Sequence, residues 1–436
     1  MRALGIGLWV LGLLATEPLA AAEFTTLKGH GGPVMALAVQ PSTGQVASGS
    51  FDNSVGLWQD RVPRWLEGHS AAVSSLAFLD AERLVSGGDD FALMLWNTQS
   101  GDSTRLEGHR GKIAALDVSP DGHWIASASW DGSIGLWPVK SGAPRFLKGH
   151  HAAVTDVAFA AGGGLLYSSS ADGTLREWNW QDAQATSRVL ADQGFGINRI
   201  VLGPMDRWLA YGAVDGATRV IDTATGAEIA DFSLERRPIL ALVHHAATGQ
   251  LAAGDGHGYI VVIDTEGWRI RRDFHAMSNG PVWALAFSPD GQMIYACGLS
   301  EVIYGWPVEL LGTYDPAGDA EQSFLRPPQE MENGERQFMR KCSICHALTP
   351  PPSRKAGPTL YGLFGRRAGS VAGYAYSPTL VGTDIIWSDE TIDALFDLGP
   401  DHFIPGSKMP MQRITAAQDR QDMVDYLRRA TAKKEN

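Results

Sequence analysis

Two thiols and an imidazole stand together at Cys342-Ser343-Ile344-Cys345-His346, and the chain's third and last cysteine, Cys297, lies far off in sequence. Thiols spaced in this way can add across the two vinyl groups of a porphyrin, and a His directly after the second then reaches the iron from one face. The residue types predict one covalently attached haem c, held through Cys342 and Cys345, with His346 as an iron ligand. Two other chemistries use a CxxC pair. A zinc site wants a second Cys or His pair, and a dithiol redox site usually opens a helix after a strand in a thioredoxin-like unit. The sequence offers neither context.

Elements that could position such a group surround the motif. Residues 330–342 have helical spacing, with Phe338 and Met339 on an apolar face that runs directly into Cys342. After the motif come the phrases Gly357-Pro358-Thr359-Leu360-Tyr361-Gly362-Leu363-Phe364-Gly365-Arg366 and Ile404-Pro405-Gly406-Ser407-Lys408-Met409. From residue 330 to 436 the chain resembles class I cytochromes c of the mitochondrial and related bacterial type, an all-α fold.

The resemblance implies roles residue by residue. The carbonyl of Pro358 should hold the outer nitrogen of His346, fixing its tautomer. Met409 should be the sixth iron ligand, in preference to its neighbours Met411 and His402; a soft thioether there favours reduced iron. Arg366, Tyr376 and Trp387 match positions that hydrogen-bond the haem propionates, which need partners because buried carboxylates are costly. Gly334, Phe338, Met423 and Tyr426 match the crossing of the first and last helices, and Thr415 with Gln418 forms a capping-box pattern ahead of the last one. Some positions depart from the family. Leu380 and Phe396 stand where mitochondrial types carry Asn and Tyr, and Asp401 and His402 replace a Lys pair that rims the haem edge.

The first three quarters of the chain repeat a phrase: Gly-His, an alternating apolar run, Ser, Asp, Trp. The closing positions Trp58, Trp96, Trp137, Trp178, Ile221, Ile263 and Trp306 are spaced by 38, 41, 41, 43, 42 and 43 residues. Runs such as Val34 to Val39, Ile113 to Val118 and Val282 to Phe287 alternate with period two, and Asp131-Gly132 and Asp172-Gly173 mark tight turns. Each unit therefore reads as a small four-stranded meander. Residues 23–310 resemble the WD-repeat family, which implies an all-β seven-bladed propeller ring without free edges.

By that resemblance, His30, Ser48, Asp52 and Trp58 form a buried hydrogen-bonded set. So do His69, Ser86, Asp90 and Trp96; His109, Ser127, Asp131 and Trp137; and His150, Ser168, Asp172 and Trp178. In the last three units Asp215 stands alone, His257 takes the Asp position and Ser300 takes it in turn, so these blades are expected to be less well stapled. Phe24 to Leu27 should supply the outer strand of the seventh blade.

The ends and the composition bound the rest. Arg2, an apolar run from Ala3 to Ala15 and small residues at Ala20 and Ala22 read as a signal peptide over residues 1–22, which predicts export to a bacterial periplasm. The apolar run is short of the ~20 residues a membrane span needs. Residues 311–329, rich in Pro and Gly, read as a linker to the domain at 330–436.

A net charge of -12 argues against a nucleic-acid partner. It is unevenly spread: from residue 330 onward 14 Lys and Arg face 13 Asp and Glu, leaving 22 against 35 before it. Cys297 reads as a buried thiol on an inner strand of unit seven. His244, His245, His257 and His275 share no ligand spacing, and Gly254-Asp255-Gly256-His257-Gly258 is a strand-connecting turn with no helix after it.

These readings combine into an expectation of a periplasmic carrier of single electrons, not an enzyme, with the propeller as a protein-docking platform for a redox protein partner. The alternative is an oxidoreductase whose propeller holds a second cofactor or substrate site and feeds electrons to the haem. A third possibility is a haem that acts mainly as a sensor or a peroxide-reacting centre within an interaction scaffold, for which a weak Met409 bond is the precondition.

Overall fold

A computed structural model describes residues 23–182, 184–233, 238–278, 280–311, 330–351 and 354–433. The expected signal peptide and all but the first residue of the expected linker lie outside them.

The repeats fold as seven four-stranded antiparallel sheets. The first six span residues 34–67, 73–106, 113–148, 154–192, 197–233 and 239–275, each built from consecutive strands. The seventh takes three strands from 282–307 and its outer strand from Thr25–Lys28, which pairs with the last strand through Thr25↔Gly305 to Lys28↔Val302. Joining the ends of the repeat in one sheet closes the ring and removes the edge an open propeller would expose. Side chains on the innermost strands tie neighbouring blades together. Asn198 Nδ2 donates to the Ile239 carbonyl at 2.9 Å, and Asp156 accepts from the Ile200 N–H at 2.9 Å.

The four predicted polar sets are formed. In the second blade Trp96 Nε1 donates to Ser86 Oγ at 2.7 Å, Ser86 Oγ meets His69 Nε2 at 2.7 Å, and His69 Nδ1 meets Asp90 at 3.0 Å. The chain is self-consistent with a neutral imidazole: indole N–H to serine, serine O–H to Nε2, Nδ1–H to carboxylate. The first, third and fourth blades repeat it.

The later blades hold themselves differently. Asp215 has Tyr211 and Ile221 where the set's serine and tryptophan would stand, and instead accepts from Arg219 Nη2 at 2.9 Å. In the seventh blade Ala296 stands where the first four have the serine, and the buried Trp306 Nε1 has no described partner. Its ring instead packs among Phe24, Phe274 and Tyr304 at centroid distances of 5.4–5.8 Å. Cys297 is fully buried on an inner strand of that blade, Met293–Gly298, as expected.

The described residues of the C-terminal domain form five helices: α1 (Asn333–Lys341), α2 (Pro378–Val381), α3 (Asp389–Leu398), α4 (Pro400–Phe403) and α5 (Ala417–Ala430), with one isolated bridge between Arg367 and Ile386. α1 is shorter at both ends than the sequence pattern suggests. It crosses α5 at Gly334, where an added Cβ would lie 2.0 Å from the Asp422 carbonyl oxygen, and Phe338 packs on Tyr426 at 5.6 Å. The expected Thr415–Gln418 cap is not made. The N-cap of α5 is Ala416, without a side-chain bond, and Gln418 Nε2 reaches forward to Asp422 instead. The start of α5 is held from below by Arg420, which donates to the Ile414 carbonyl and to Asp393. Among the described residues no helix is long and apolar enough to cross a membrane.

Two outcomes follow from the polar sets. Ser86→Ala leaves His69 Nε2 and Trp96 Nε1 unpaired, so chemical denaturation should show a loss on the order of 1–3 kcal/mol for each stranded group. Acid should also weaken the propeller. Burial lowers His109 and His150, while against the upward push of burial, hydrogen bonds from Ser133, Arg110 N–H and His109 hold Asp131 down to about 2. Each of these groups binds fewer protons folded than unfolded. The histidine contribution is present above the unfolded value of 6.5 and the aspartate contribution above 3.8, and both fade as pH falls. The thermal midpoint should drop between about pH 7 and about pH 4, and by less in a His109→Asn/His150→Asn variant.

Candidate functional site

Helix α1 ends at Cys342, whose N–H still bonds the Phe338 carbonyl, and the chain then turns so that the N–H groups of Cys345 and His346 both return to the Cys342 carbonyl. This single turn sets both thiols and the imidazole on one wall of a cavity of about 370 Å³. His346 Nδ1 donates to the Pro358 carbonyl at 2.8 Å, leaving Nε2 with its lone pair free. Close approach is allowed by Gly357, where a Cβ would meet His346 Cε1 at 2.5 Å.

The sequence-predicted residues converge on this cavity. Cys342, Cys345, His346, Arg366, Tyr376, Trp387 and Met409 all line it. Met409 is carried on the loop after α4. That loop is held by the Ser407 N–H on the Ile404 carbonyl, by the Met409 N–H on Ser407 Oγ and by Lys408 Nζ on the Ala375 carbonyl at 3.0 Å. The rivals point elsewhere. Met411 is 53% exposed with its sulfur over Gly399, and His402 is exposed beside Asp401.

A tetrapyrrole fits what is present. Part of the remaining wall is apolar, with Leu363, Ile392, Leu395, Phe396 and Ile404 among its side chains. At one place polar groups gather without anionic partners. Arg366 gives Nη1 to the Tyr361 carbonyl and Nη2 to the Thr359 carbonyl, and its guanidinium is lowered by burial with no described carboxylate against it. Beside it Tyr376 receives the Val371 N–H at its hydroxyl. Ser377 Oγ and Gln412 Oε1 are buried on the same cavity and have no described partner. Carboxylates of a bound group would satisfy the donors among these.

Sequence reasoning missed Ser377 and Gln412, because a serine and a glutamine carry no spacing signal; only burial without a partner distinguishes them. The zinc and dithiol readings find no support. Burial pushes the Cys342 thiol up to about 12 and raises Cys345 as well. The described residues hold no group of three or more His, Cys, Asp or Glu suited to a metal ion. His244 is buried against Trp208 at 4.8 Å, and burial lowers it to about 4, so it is a neutral core residue.

Known proteins match the two halves separately. Residues 22–59, 61–97, 102–138, 143–179 and 269–306 match the WD domain, G-beta repeat; the fifth blade and the first three strands of the sixth, which lack the polar set, lie outside the matched segments. Residues 331–431 match the family described as Cytochrome c. Curated relatives include cytochrome c of Sesamum indicum, 40% identical over 108 residues, spanning 24% of this chain and 95% of the relative. Cytochrome c of Ginkgo biloba is 37% identical over 106 residues, 24% of this chain and 93% of the relative. That of Theileria parva is 35% identical over 113 residues, 26% of this chain and 96% of the relative. With the cavity, its thiols and its imidazole already in register with that match, the chain belongs to the cytochrome c family through its C-terminal domain, joined to a seven-bladed propeller of WD repeats.

Proposed function

We propose that this protein carries one electron at a time through a single haem bound covalently at Cys342 and Cys345, with His346 and Met409 as axial ligands. The observation that carries this reading is the cavity that both thiols, His346 and Met409 line together. When bound, the haem supplies a reversible one-electron change at its iron. The chain's own residues do the rest. The Pro358 carbonyl keeps the proton on His346 Nδ1, so Nε2 presents its lone pair to the cavity.

Met409 offers a soft thioether that favours the reduced state. Arg366, Tyr376 and Trp387, together with Ser377, offer the polar groups that would hold the propionates. Leu380 and Phe396 line the cavity where mitochondrial types have amide and phenol groups, which leaves the Met409 side drier. In the same reading the chain is exported to a bacterial periplasm, and the propeller docks a redox protein partner. An acidic propeller beside a near-neutral haem domain supports a partner recognised through basic groups. The oxidoreductase alternative is less well supported, because the four His and Asp side chains of the repeated polar sets are paired with each other within their own blades.

Purified from a host that matures c-type cytochromes, the protein should carry one haem per chain and give a low-spin spectrum that cycles reversibly between two states. Met409→Ala should open the sixth position, so that the reduced protein binds carbon monoxide at neutral pH, whereas Met411→Ala and His402→Ala should leave it closed. Carbon monoxide binding by the parent, or an unchanged Met409→Ala spectrum, would contradict the assignment.

A further inference from the structure

The wall of the haem cavity is not made by one domain. Phe51, Asn53, Ser70, Ala71, Ala72 and Asp89, all from loops of the first two blades, line it together with Cys345 and His346. Asp89 Oδ1 is buried there and has no described partner. Around this seam cations of the haem domain meet carboxylates of the propeller. Arg354 Nη2 lies 2.8 Å from Glu67 and its guanidinium sits 4.2 Å over the Trp65 ring, while Lys355 Nζ lies 2.5 Å from Glu301. The Lys355 pair is the better shielded, at 16% and 29% side-chain exposure.

One glycine marks the contact in the sequence. Gly31 follows the blade histidine His30, and the residues at that position in the next three blades are Ser70, Arg110 and His151. All four give their backbone N–H to the blade aspartate, and Gly31 is outside the left-handed region, so the blade itself accepts a side chain here. The haem domain does not. A Cβ on Gly31 would fall 0.9 Å from the Arg354 carbonyl oxygen.

We infer that the propeller is a built-in cover for the haem: its first two blades dock on the loop around Arg354 and shut one edge of the cavity from solvent, so that exchange with an outside redox partner at that edge requires the docked pair to open. This rests on the haem-carrier reading for its consequence, though not for the docking itself. The ion pairs should make the cover salt-sensitive, because the screening length falls from about 10 Å at 0.1 M salt to about 3 Å at 1 M.

The test compares three forms of the full-length holoprotein: the parent, Gly31→Arg, which copies the third blade, and Glu67→Lys/Glu301→Lys, which reverses both pairs. Small-angle scattering gives the radius of gyration, and stopped-flow mixing with hydroquinone, a neutral reductant that added charges do not steer, gives the rate of haem reduction. Both variants should expand and be reduced several-fold faster, with the parent's absorption spectrum, and the parent should approach them in high salt. Equal reduction rates in all three forms would overturn the cover, as would a parent already extended at low salt. Scattering needs no haem signal, so a failure of haem binding and a failure of docking are read separately.

Discussion

The hydrogen bond from His346 Nδ1 to the Pro358 carbonyl, at 2.8 Å, is the contact on which the rest of the site depends. An imidazole buried in an apolar wall could present either nitrogen, and only one choice leaves a ligand facing the cavity. The Pro358 carbonyl makes that choice. It can do so because Gly357 has no side chain to hold it away, and because the N–H of Gly357 returns to the Cys345 carbonyl, tying the loop to the attachment turn. The turn is anchored to α1, α1 crosses α5 at Gly334, and α5 is fixed by Arg420 to α3 and to the strand of chain that follows the Met409 loop. Opposite walls of the cavity are thus referred to one helix crossing.

The propeller solves a different problem with a different device. Its blades must bury a histidine and an aspartate near the sheet interior, and they do so by passing hydrogen bonds through a neutral chain of indole, serine, imidazole and carboxylate. This spends the hydrogen-bonding groups of these side chains on one another within the blade. Where the serine is missing, as at Ala296, aromatic packing around Trp306 takes over. The two halves of the molecule therefore divide the labour: one holds the redox group, and the other offers a rigid acidic surface beside it.

Much of this was legible from residue types and spacing. The repeat period gave the number of blades even where the polar set had decayed, since Ile221 and Ile263 keep the place of the tryptophan. The haem motif and the likeness to cytochromes c pointed to Cys342, Cys345, His346, Arg366, Tyr376, Trp387 and Met409, all of which line the cavity. What escaped had no local signature. The pairing of Asp215 with Arg219 depends on side-chain reach, and the bare N-cap of α5 is compensated by Arg420, a long-range contact no capping pattern encodes. Ser377 and Gln412 are conspicuous only once burial is known. Gly31 looks like an ordinary turn glycine until its neighbour from the other domain is seen.

The central claim, that His346 and Met409 hold one haem between them, is tested most directly by proton and carbon magnetic resonance of the reduced protein with labelled methionine methyl groups. An axial thioether lies in the ring current of the porphyrin. One methionine methyl should therefore appear far upfield of all the others and should vanish when position 409 is no longer methionine. A spectrum in which no methyl is shifted, or in which the shifted methyl belongs to another methionine such as Met411, would contradict the account.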